Sequence, residues 1–300
     1  MDRGYITIAL RSGDSDYLRM AYCLALSLRL TQSRVNRLCV LVEDAAAVPE
    51  RYRWAFDHIV ELPHGDDSRP DGWRVQNYHQ VYAASPYEET ATVDADMLFF
   101  ADVSPWWEVM ARKELVAATR VLDYRGQVVS FNPLRAQFYE HGLPDVHNGF
   151  LYFKKGPENE RLFATMRAFT RDWEATCERF FGRGDVHYSG DCSLVLALRE
   201  LGLERECQNH DTGGIPMFVH MKTCLQGWPG AQDKDWRKYA DHRFSPSLEL
   251  TVGGFDIRYP FHYHVRDFVS DELLAAYERA VAGDPPCSLP PASPPGSIAR

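Results

Sequence analysis

A continuous apolar run, Leu38-Cys39-Val40-Leu41-Val42, closed by the acidic pair Glu43-Asp44, leaves this chain few folds to choose from. A half-exposed strand alternates apolar and polar residues, whereas a run without a polar break belongs to a parallel strand covered on both faces. The surrounding sequence agrees. Tyr5-Ile6-Thr7-Ile8-Ala9-Leu10 is another β-type run, followed by turn residues at Ser12-Gly13-Asp14. Residues 16–30 carry Leu18, Ala21, Leu24, Ala25 and Leu28 at helical spacing, behind a cap at Asp14 or Ser15. A helical stretch at 49–56 and a strand at 58–62 complete strand, helix, strand, helix, strand. The expected class is α/β, a mixed and mostly parallel sheet with helices on both faces.

Ala91-Thr92-Val93-Asp94-Ala95-Asp96-Met97-Leu98-Phe99-Phe100 places two carboxylates between apolar runs. Residues i and i+2 of a strand share a side, so Asp94 and Asp96 can converge. Apolar flanks mark the end of a buried strand, where ligands collect at the carboxyl edge of an open sheet. Paired carboxylates repel unless a cation lies between them or one is protonated. A hard divalent ion, Mn²⁺ or Mg²⁺, is the natural occupant, and it would in turn hold phosphate oxygens. The plainer alternative is a solvated turn capped by Asp94.

Composition sets outer limits. The chain has 300 residues, 45% hydrophobic and 25% charged, enough for a substantial core. A net charge of −9 provides no general field for a polyanion, although a local basic groove remains open. The cysteine count is 7, odd and without a Cys-x-x-Cys pair, which favours a reducing compartment over a disulfide framework. Asp2 and Arg3 lead straight into a strand, and the apolar stretch 20–30 is broken by Arg29 and too short to span a bilayer. A soluble, cytoplasmic protein is expected.

Ser85-Pro86-Tyr87-Glu88-Glu89-Thr90, the strand ending in Asp94-Ala95-Asp96, and Ala101-Asp102-Val103-Ser104-Pro105-Trp106-Trp107-Glu108 form one segment. This segment resembles the centre of GT-A fold glycosyltransferases, glycogenin and the bacterial galactosyltransferase-like enzymes above all. The resemblance implies a Rossmann-like GT-A fold and a nucleotide-sugar donor whose diphosphate is held through Mn²⁺ or Mg²⁺ at Asp-x-Asp. It further implies that Ala9, Leu10, Arg11 and Tyr17 hold the nucleoside, with Tyr17 stacking on the base. Packing of Tyr17 on the sheet is the competing reading. No Gly-rich phosphate loop is present.

Residues 73–82 read as a helix feeding the acidic strand, and the resemblance puts a phosphate-reaching basic residue there. Arg74, Asn77 and Gln80 are the polar candidates; Gln80 stands where a basic residue is common, so Arg74 is the choice. A strand is expected at 114–121 and a loop over the site at 126–138. Asn148-Gly149 matches the family's sugar-facing Asn-x-Gly end in shortened form. Asn148 is a sugar contact in that reading, and Gly149 admits close approach to the backbone. A hairpin turn gives the same dipeptide. Residues 161–181 form a long amphipathic helix of core character. Asp191, ahead of the helix at 192–201, is a contact to the transferred sugar, a helix cap, or both. Within Ile215-Pro216-Met217-Phe218-Val219-His220-Met221-Lys222, followed by Trp228-Pro229, the resemblance makes His220 the third metal ligand and Lys222 a phosphate contact.

Strands at 248–252 and 255–259 form a hairpin, and His262, His264 and Arg266 make a polar cluster before a helix at 271–281. With His242 the histidines invite a second metal site, but they lack recognisable ligand spacing. The expected organisation is a nucleotide-sugar-binding catalytic domain at 1–230, a hairpin-and-helix extension at 231–282 and a disordered Pro/Ser-rich tail at 283–300. The function implied is metal-dependent transfer of a hexose from a nucleotide-diphosphate sugar, a UDP-sugar foremost, to a hydroxyl with retention. Asp191 and Asn148 would act at the reacting sugar. The acceptor is left open among a glycan, a protein, a small molecule and a hydroxymethylated DNA base. A sugar-phosphate nucleotidyltransferase and a non-catalytic nucleotide-sugar-binding protein are the alternatives.

Overall fold

The early alternation folds as a parallel sheet. The computed structural model describes residues 2–13, 15–68, 74–129, 132, 135–184, 186–221 and 235–283, with the backbone alone at 75. β1 (Arg3–Ile8) leads to α1 (Tyr17–Thr31), β2 (Leu38–Val42), α2 (Glu50–Arg53) and β3 (His58–Glu61). A 3-10 helix (Arg74–Gln80) and α3 (Val81–Ala84) precede β4 (Glu89–Val93) and β5 (Met97–Leu98). Next come α4 (Trp106–Met110), β6 (Leu115–Ala118), β7 (Val121–Leu122), α5 (Ala136–Glu140) and β8 (His147–Lys154). After them run α6 (Pro157–Arg171), α7 (Trp173–Phe181), α8 (Gly190–Leu201) and β9 (Phe218–His220). The last described elements are β10 (His242–Phe244), β11 (Leu250–Val252), β12 (Phe255–Asp256), β13 (Phe261–His262) and α9 (Asp271–Ala282).

The main sheet has the order β3-β2-β1-β4-β8-β6. Its first four strands are parallel, and β8 runs antiparallel to both β4 and β6. This is the expected Rossmann-like, mostly parallel mixed sheet. Alternate residues of β2 enter opposite cores: Leu38, Val40 and Val42 pack on one face, Cys39 and Leu41 on the other. Covering both faces is what the unbroken apolar run requires. A second sheet, β5-β13-β9-β7, stands beside the end of β4, and β10-β11-β12 form a small antiparallel sheet.

Local departures from expectation have physical causes. The strand at 114–121 divides into β6 and β7, which join different sheets. The helix at 161–181 divides at Asp172, and α6 starts earlier, at Pro157. The break lets Trp173 bury its ring and donate Nε1–H to Val186 O at 2.8 Å. The stretch feeding β4 is a 3-10 helix, with Asn77 and Gln80 turned inward on the loop at 64–67. α1 is capped by Asp16, whose carboxylate accepts from Arg19 N at 2.9 Å; Asp14 lies outside the described residues. The C-terminal hairpin carries a third strand, β10. Residues 284–300, and with them the expected tail, lie outside the described residues, as do Lys222, Trp228 and Pro229.

α1 anchors the segment that carries the acidic pair. Ser27 Oγ accepts from Phe99 N, and the Gln32 side chain accepts from Val103 N and donates to Ala101 O, at 2.8 to 3.1 Å. Asp102 accepts from Ser33 Oγ at 2.5 Å and from Ser104 N at 2.9 Å. The motif residues after Asp96 therefore hold the turn in place. Trp107 is likewise buried, its Nε1–H donating to the Tyr5 hydroxyl at 3.2 Å.

Candidate metal centre

β4 ends with Val93 opposite Phe150 of β8, and Asp94 N then donates to Gly149 O at 3.3 Å. A turn closes with Met97 N donating to Asp94 O at 3.2 Å, and the chain leaves the main sheet as β5. β5 pairs with β13, Met97 opposite His262, and Tyr263 N donates to Asp96 O at 3.1 Å. These backbone bonds seat β13 directly against the acidic turn. His262 Nε2 consequently lies 3.0 Å from Asp96 Oδ1 and 3.6 Å from Asp94 Oδ2. His264 Nδ1 stands 3.7 Å from Asp96 Oδ2.

β9 lies parallel to β13 with His220 in register with His262. Their rings stack 4.9 Å apart at 3°. His264 stacks on His262 at 3.8 Å, and His264 Nε2 is 3.1 Å from His220 Nδ1. Two ligand groups emerge, Asp94-Asp96-His262 and His220-His262-His264, each with donor atoms within 4.8 Å of one another. Thus the imidazole grouped with both carboxylates is His262, while His220 joins through His262 and His264.

The acidic group fits a divalent ion. Two donors each about 2.1 Å from one ion and about 90–110° apart are separated by about 3.0–3.4 Å. The observed carboxylate–imidazole separations of 3.0 and 3.6 Å bracket that range. One imidazole with two carboxylates suits Mn²⁺ better than Mg²⁺. Burial pushes the Asp96 carboxyl up, but His262 and His264 outweigh it and hold it well below the usual range, so it stays ionised. Gly149 makes room, since a Cβ there would lie 2.8 Å from Asp94 Oδ2.

Around this centre the other candidates fall into three sets. Ala9 and Leu10 are buried at the end of β1, with Ala9 N donating to Leu41 O at 2.9 Å. Tyr17 is half-buried at the start of α1; burial and the charges of Asp96 and Asp94 raise its hydroxyl pKa, and Arg266 opposes them. Arg11 and Arg266 are exposed and form no hydrogen bond or ion pair with the described residues.

The second set is tied up within the protein. Arg74 is ion-paired with Asp66 and Glu43. Asn77 donates to Asp66 Oδ1 at 2.7 Å and accepts from Asp67 N at 2.9 Å. Gln80 accepts from His64 N at 3.0 Å and donates to Gly65 O at 2.7 Å. Both amides are fully buried, so their bonding capacity goes to the 64–67 loop.

The third set lies along β8 and α8. Asp191 Oδ1 accepts from Asn148 N at 2.7 Å, and its Oδ2 accepts from Arg135 at 2.6 Å. Ser189, not Asp191, caps α8 by accepting from Cys192 N at 3.0 Å. Burial raises the Asp191 carboxyl, but Arg135 and His147 outweigh it, leaving it below the usual range. Gly190 makes way for Asn148, because a Cβ there would lie 2.3 Å from Asn148 Nδ2. Arg135 also pairs with Asp145, donates to Val146 O and stacks 4.0 Å over Phe138. Neither Arg135 nor the role of Gly190 was legible in the sequence, since Arg135 sits in a polar stretch without periodicity. His262 was visible only as one member of a histidine-rich segment.

No family profile matches the chain. A curated relative, the cytoplasmic cysteine–tRNA ligase of Gallus gallus, is 24% identical over 190 residues, 56% of this chain and 22% of that protein. The chain thus spans about a fifth of that relative's length. Similar solved structures include the galactosyltransferase LgtC in complex with donor and acceptor sugar analogues, 12% identical, TM-score 0.41, covering 68% of this chain and 72% of that one. The glycosyltransferase GlyE of Streptococcus pneumoniae TIGR4 is 12% identical, TM-score 0.46, over 94% and 60%. Mouse xyloside xylosyltransferase 1 is 11% identical, TM-score 0.44, over 69% and 84%. TM-scores below 0.5 give no residue-level correspondence. Among the described residues no helix is long and apolar enough to cross a membrane.

Proposed function

We propose that this chain is a metal-dependent glycosyltransferase that moves a hexose from a nucleotide-diphosphate sugar, a UDP-sugar foremost, to an acceptor hydroxyl with retention of configuration. The observation that carries the reading is the Asp94-Asp96-His262 group at the carboxyl end of a mostly parallel sheet, beside the end of β1. Such an edge is where open α/β sheets receive nucleotides. A Mn²⁺ or Mg²⁺ ion held by Asp94, Asp96 and His262, with His220 alongside, would supply positive charge against a diphosphate leaving group.

The chain's own residues do the rest. Tyr17 offers its ring to the base, and the backbone at Ala9 and Leu10 flanks the nucleoside. Arg11 and Arg266, without internal ion partners among the described residues, are available to phosphate oxygens, whereas Arg74 is already neutralised. Lys222 is kept as a further phosphate contact. Asp191, ionised and aimed by Arg135, accepts from a sugar hydroxyl beside Asn148, while Gly149 lets the sugar approach the β8 backbone. These groups favour positive charge building up at the anomeric carbon. Segment 231–282 belongs to the working site, since β13 delivers His262 to a centre otherwise built from 1–230. The five described cysteines, buried and free, support the expected cytoplasmic setting. The acceptor is a hydroxyl-bearing glycan, protein, small molecule or modified base.

Calorimetric titration of UDP with and without Mn²⁺, on the native chain and on D94N/D96N, tests the reading. Mn²⁺-dependent UDP binding that disappears in the double variant, together with release of UDP from a UDP-sugar, is the expected result. Mn²⁺-dependent binding that survives the double substitution would overturn it. Release of pyrophosphate from UTP and a sugar phosphate would replace it with the nucleotidyltransferase reading.

A further inference from the structure

We propose that Tyr78 is a positioning residue for the transfer step: its hydroxyl fastens the peptide that joins the metal centre to Asp191. The inference rests on the transferase reading and adds to it a residue that acts through Asn148. Three backbone groups of Asn148 and Gly149 are tied to other parts of the site. Asn148 N donates to Asp191 Oδ1 at 2.7 Å, and Gly149 O accepts from Asp94 N at 3.3 Å. Between them, Asn148 O accepts from the Tyr78 hydroxyl at 2.5 Å. One short stretch of backbone thus runs from Asp94 on the metal side to Asp191 on the sugar side, and Tyr78 pins its middle.

Strand pairing leaves the Asn148 carbonyl to a side chain. The β4 ladder ends at Val93 opposite Phe150, and the β6 register shifts between Ala117 and Ala118, whose partners are Leu151 and His147. Such irregularities re-aim side chains beside active sites, and the backbone groups they release from the ladder need other partners. Tyr78 is buried in the 3-10 helix that Asn77 and Gln80 hold to the 64–67 loop, so its hydroxyl reaches β8 from a fixed base. Its Cβ lies 3.9 Å from where a Cβ on Gly190 would sit, which places it at the head of α8, beside Asp191. Burial raises the phenol's pKa, and the charges of Asp94 and Asp191 raise it further, so it keeps its proton and donates. Without that bond the Asn148 peptide can tilt, and Asp94 and Asp191 lose their shared reference. Misplacement of reacting groups by about 1 Å costs about 100-fold in rate.

Amide hydrogen exchange on the full chain, followed by NMR, reads the fastening without any nucleotide sugar. Tyr78→Phe keeps the buried ring and removes only the hydroxyl. The Asn148 and Asp94 amides should then exchange about 10-fold faster or more, while those of β1 and β2 keep native rates. UDP release from UDP-glucose and UDP-galactose with Mn²⁺, water serving as acceptor, reads the transfer side. For Y78F, kcat should fall about 10- to 100-fold, with KM and the Mn²⁺-dependent affinity for UDP within about threefold of native. Because Tyr78 acts through Asn148 on Asp191, adding Y78F to D191N should cost less than about threefold more. Unchanged exchange at Asn148 and Asp94, a kcat within about twofold of native, or the full loss repeated in D191N would each overturn the proposal. A native chain that releases no UDP from either sugar would instead sink the transferase reading.

Discussion

A Cβ atom at position 149 would lie 2.8 Å from Asp94 Oδ2. Gly149 is in β8, where the backbone itself would accept any residue, so the glycine is there for space. Alanine would also press on Met97 Cε at 3.3 Å and Phe218 at 3.4 Å.

Gly149→Ala should therefore displace the Asp94 carboxylate while leaving the fold intact. Loosening one member of a ligand set costs about 10- to 100-fold in metal affinity. Mn²⁺ titration followed by paramagnetic resonance measures it, with thermal melting as the control. An affinity within twofold of the native value would show that Asp94 is not a ligand.

Arg135 holds Asp191 from within the protein, with Asp145 and Val146 O as its further partners. Removing one member of a buried ion pair costs about 3–5 kcal/mol, because the remaining charge is stranded. Arg135→Met should lower stability by about 3 kcal/mol in urea titration at neutral pH. Arg135→Lys, which keeps the charge but not the fork, should lose less. A loss for the methionine variant below about 1 kcal/mol would show that the pair contributes little.

Asp102 gives a pH signature. Slight burial pushes its carboxyl up, but hydrogen bonds from Ser104 and Ser33 outweigh this and bring it down to about 2. A carboxylate depressed in the folded state stabilises fully above its unfolded value near pH 4, and the contribution is lost as pH falls toward about 2. Asp102→Asn should cost about 1 kcal/mol at pH 7, a discounted figure for an exposed acceptor. The gap between native and variant urea midpoints should close between pH 4 and the acid limit of the native state. A gap constant across that range would assign the effect to shape rather than charge.

The segment from Ser85 to Glu108 was read as one unit around the acidic pair, and much of it turns out to be scaffolding. Tyr87 fills the space left by Gly4, where a Cβ would sit 2.4 Å from the ring. Trp107 braces Tyr5, and Asp102 binds the end of α1. Arg74, Asn77 and Gln80 were recognisable as polar residues on the right stretch. Their engagement by the 64–67 loop was not, because the partners of a polar side chain depend on which loop folds over it. The helix at 161–181 kept its apolar period through a break at Asp172, since periodicity records which side is buried but not where the axis turns.

What the sequence determined by itself is the sheet and the acidic pair at its edge. Unbroken apolar runs admit few environments, and the acidic pair directly follows one; the turn after β4, rather than strand alternation, brings both carboxylates to one histidine. Which histidine meets them was decided only in three dimensions. His220 and His262 are 42 positions apart and chemically alike; the segment around His220 favoured that residue as the third ligand, and nothing local marked His262. The parallel register of β9 and β13 brings the two rings together, and the pairing of β13 with β5 presses His262 against Asp96. Strand pairing is a long-range agreement between separate segments, and a single chain read in order carries no mark of it.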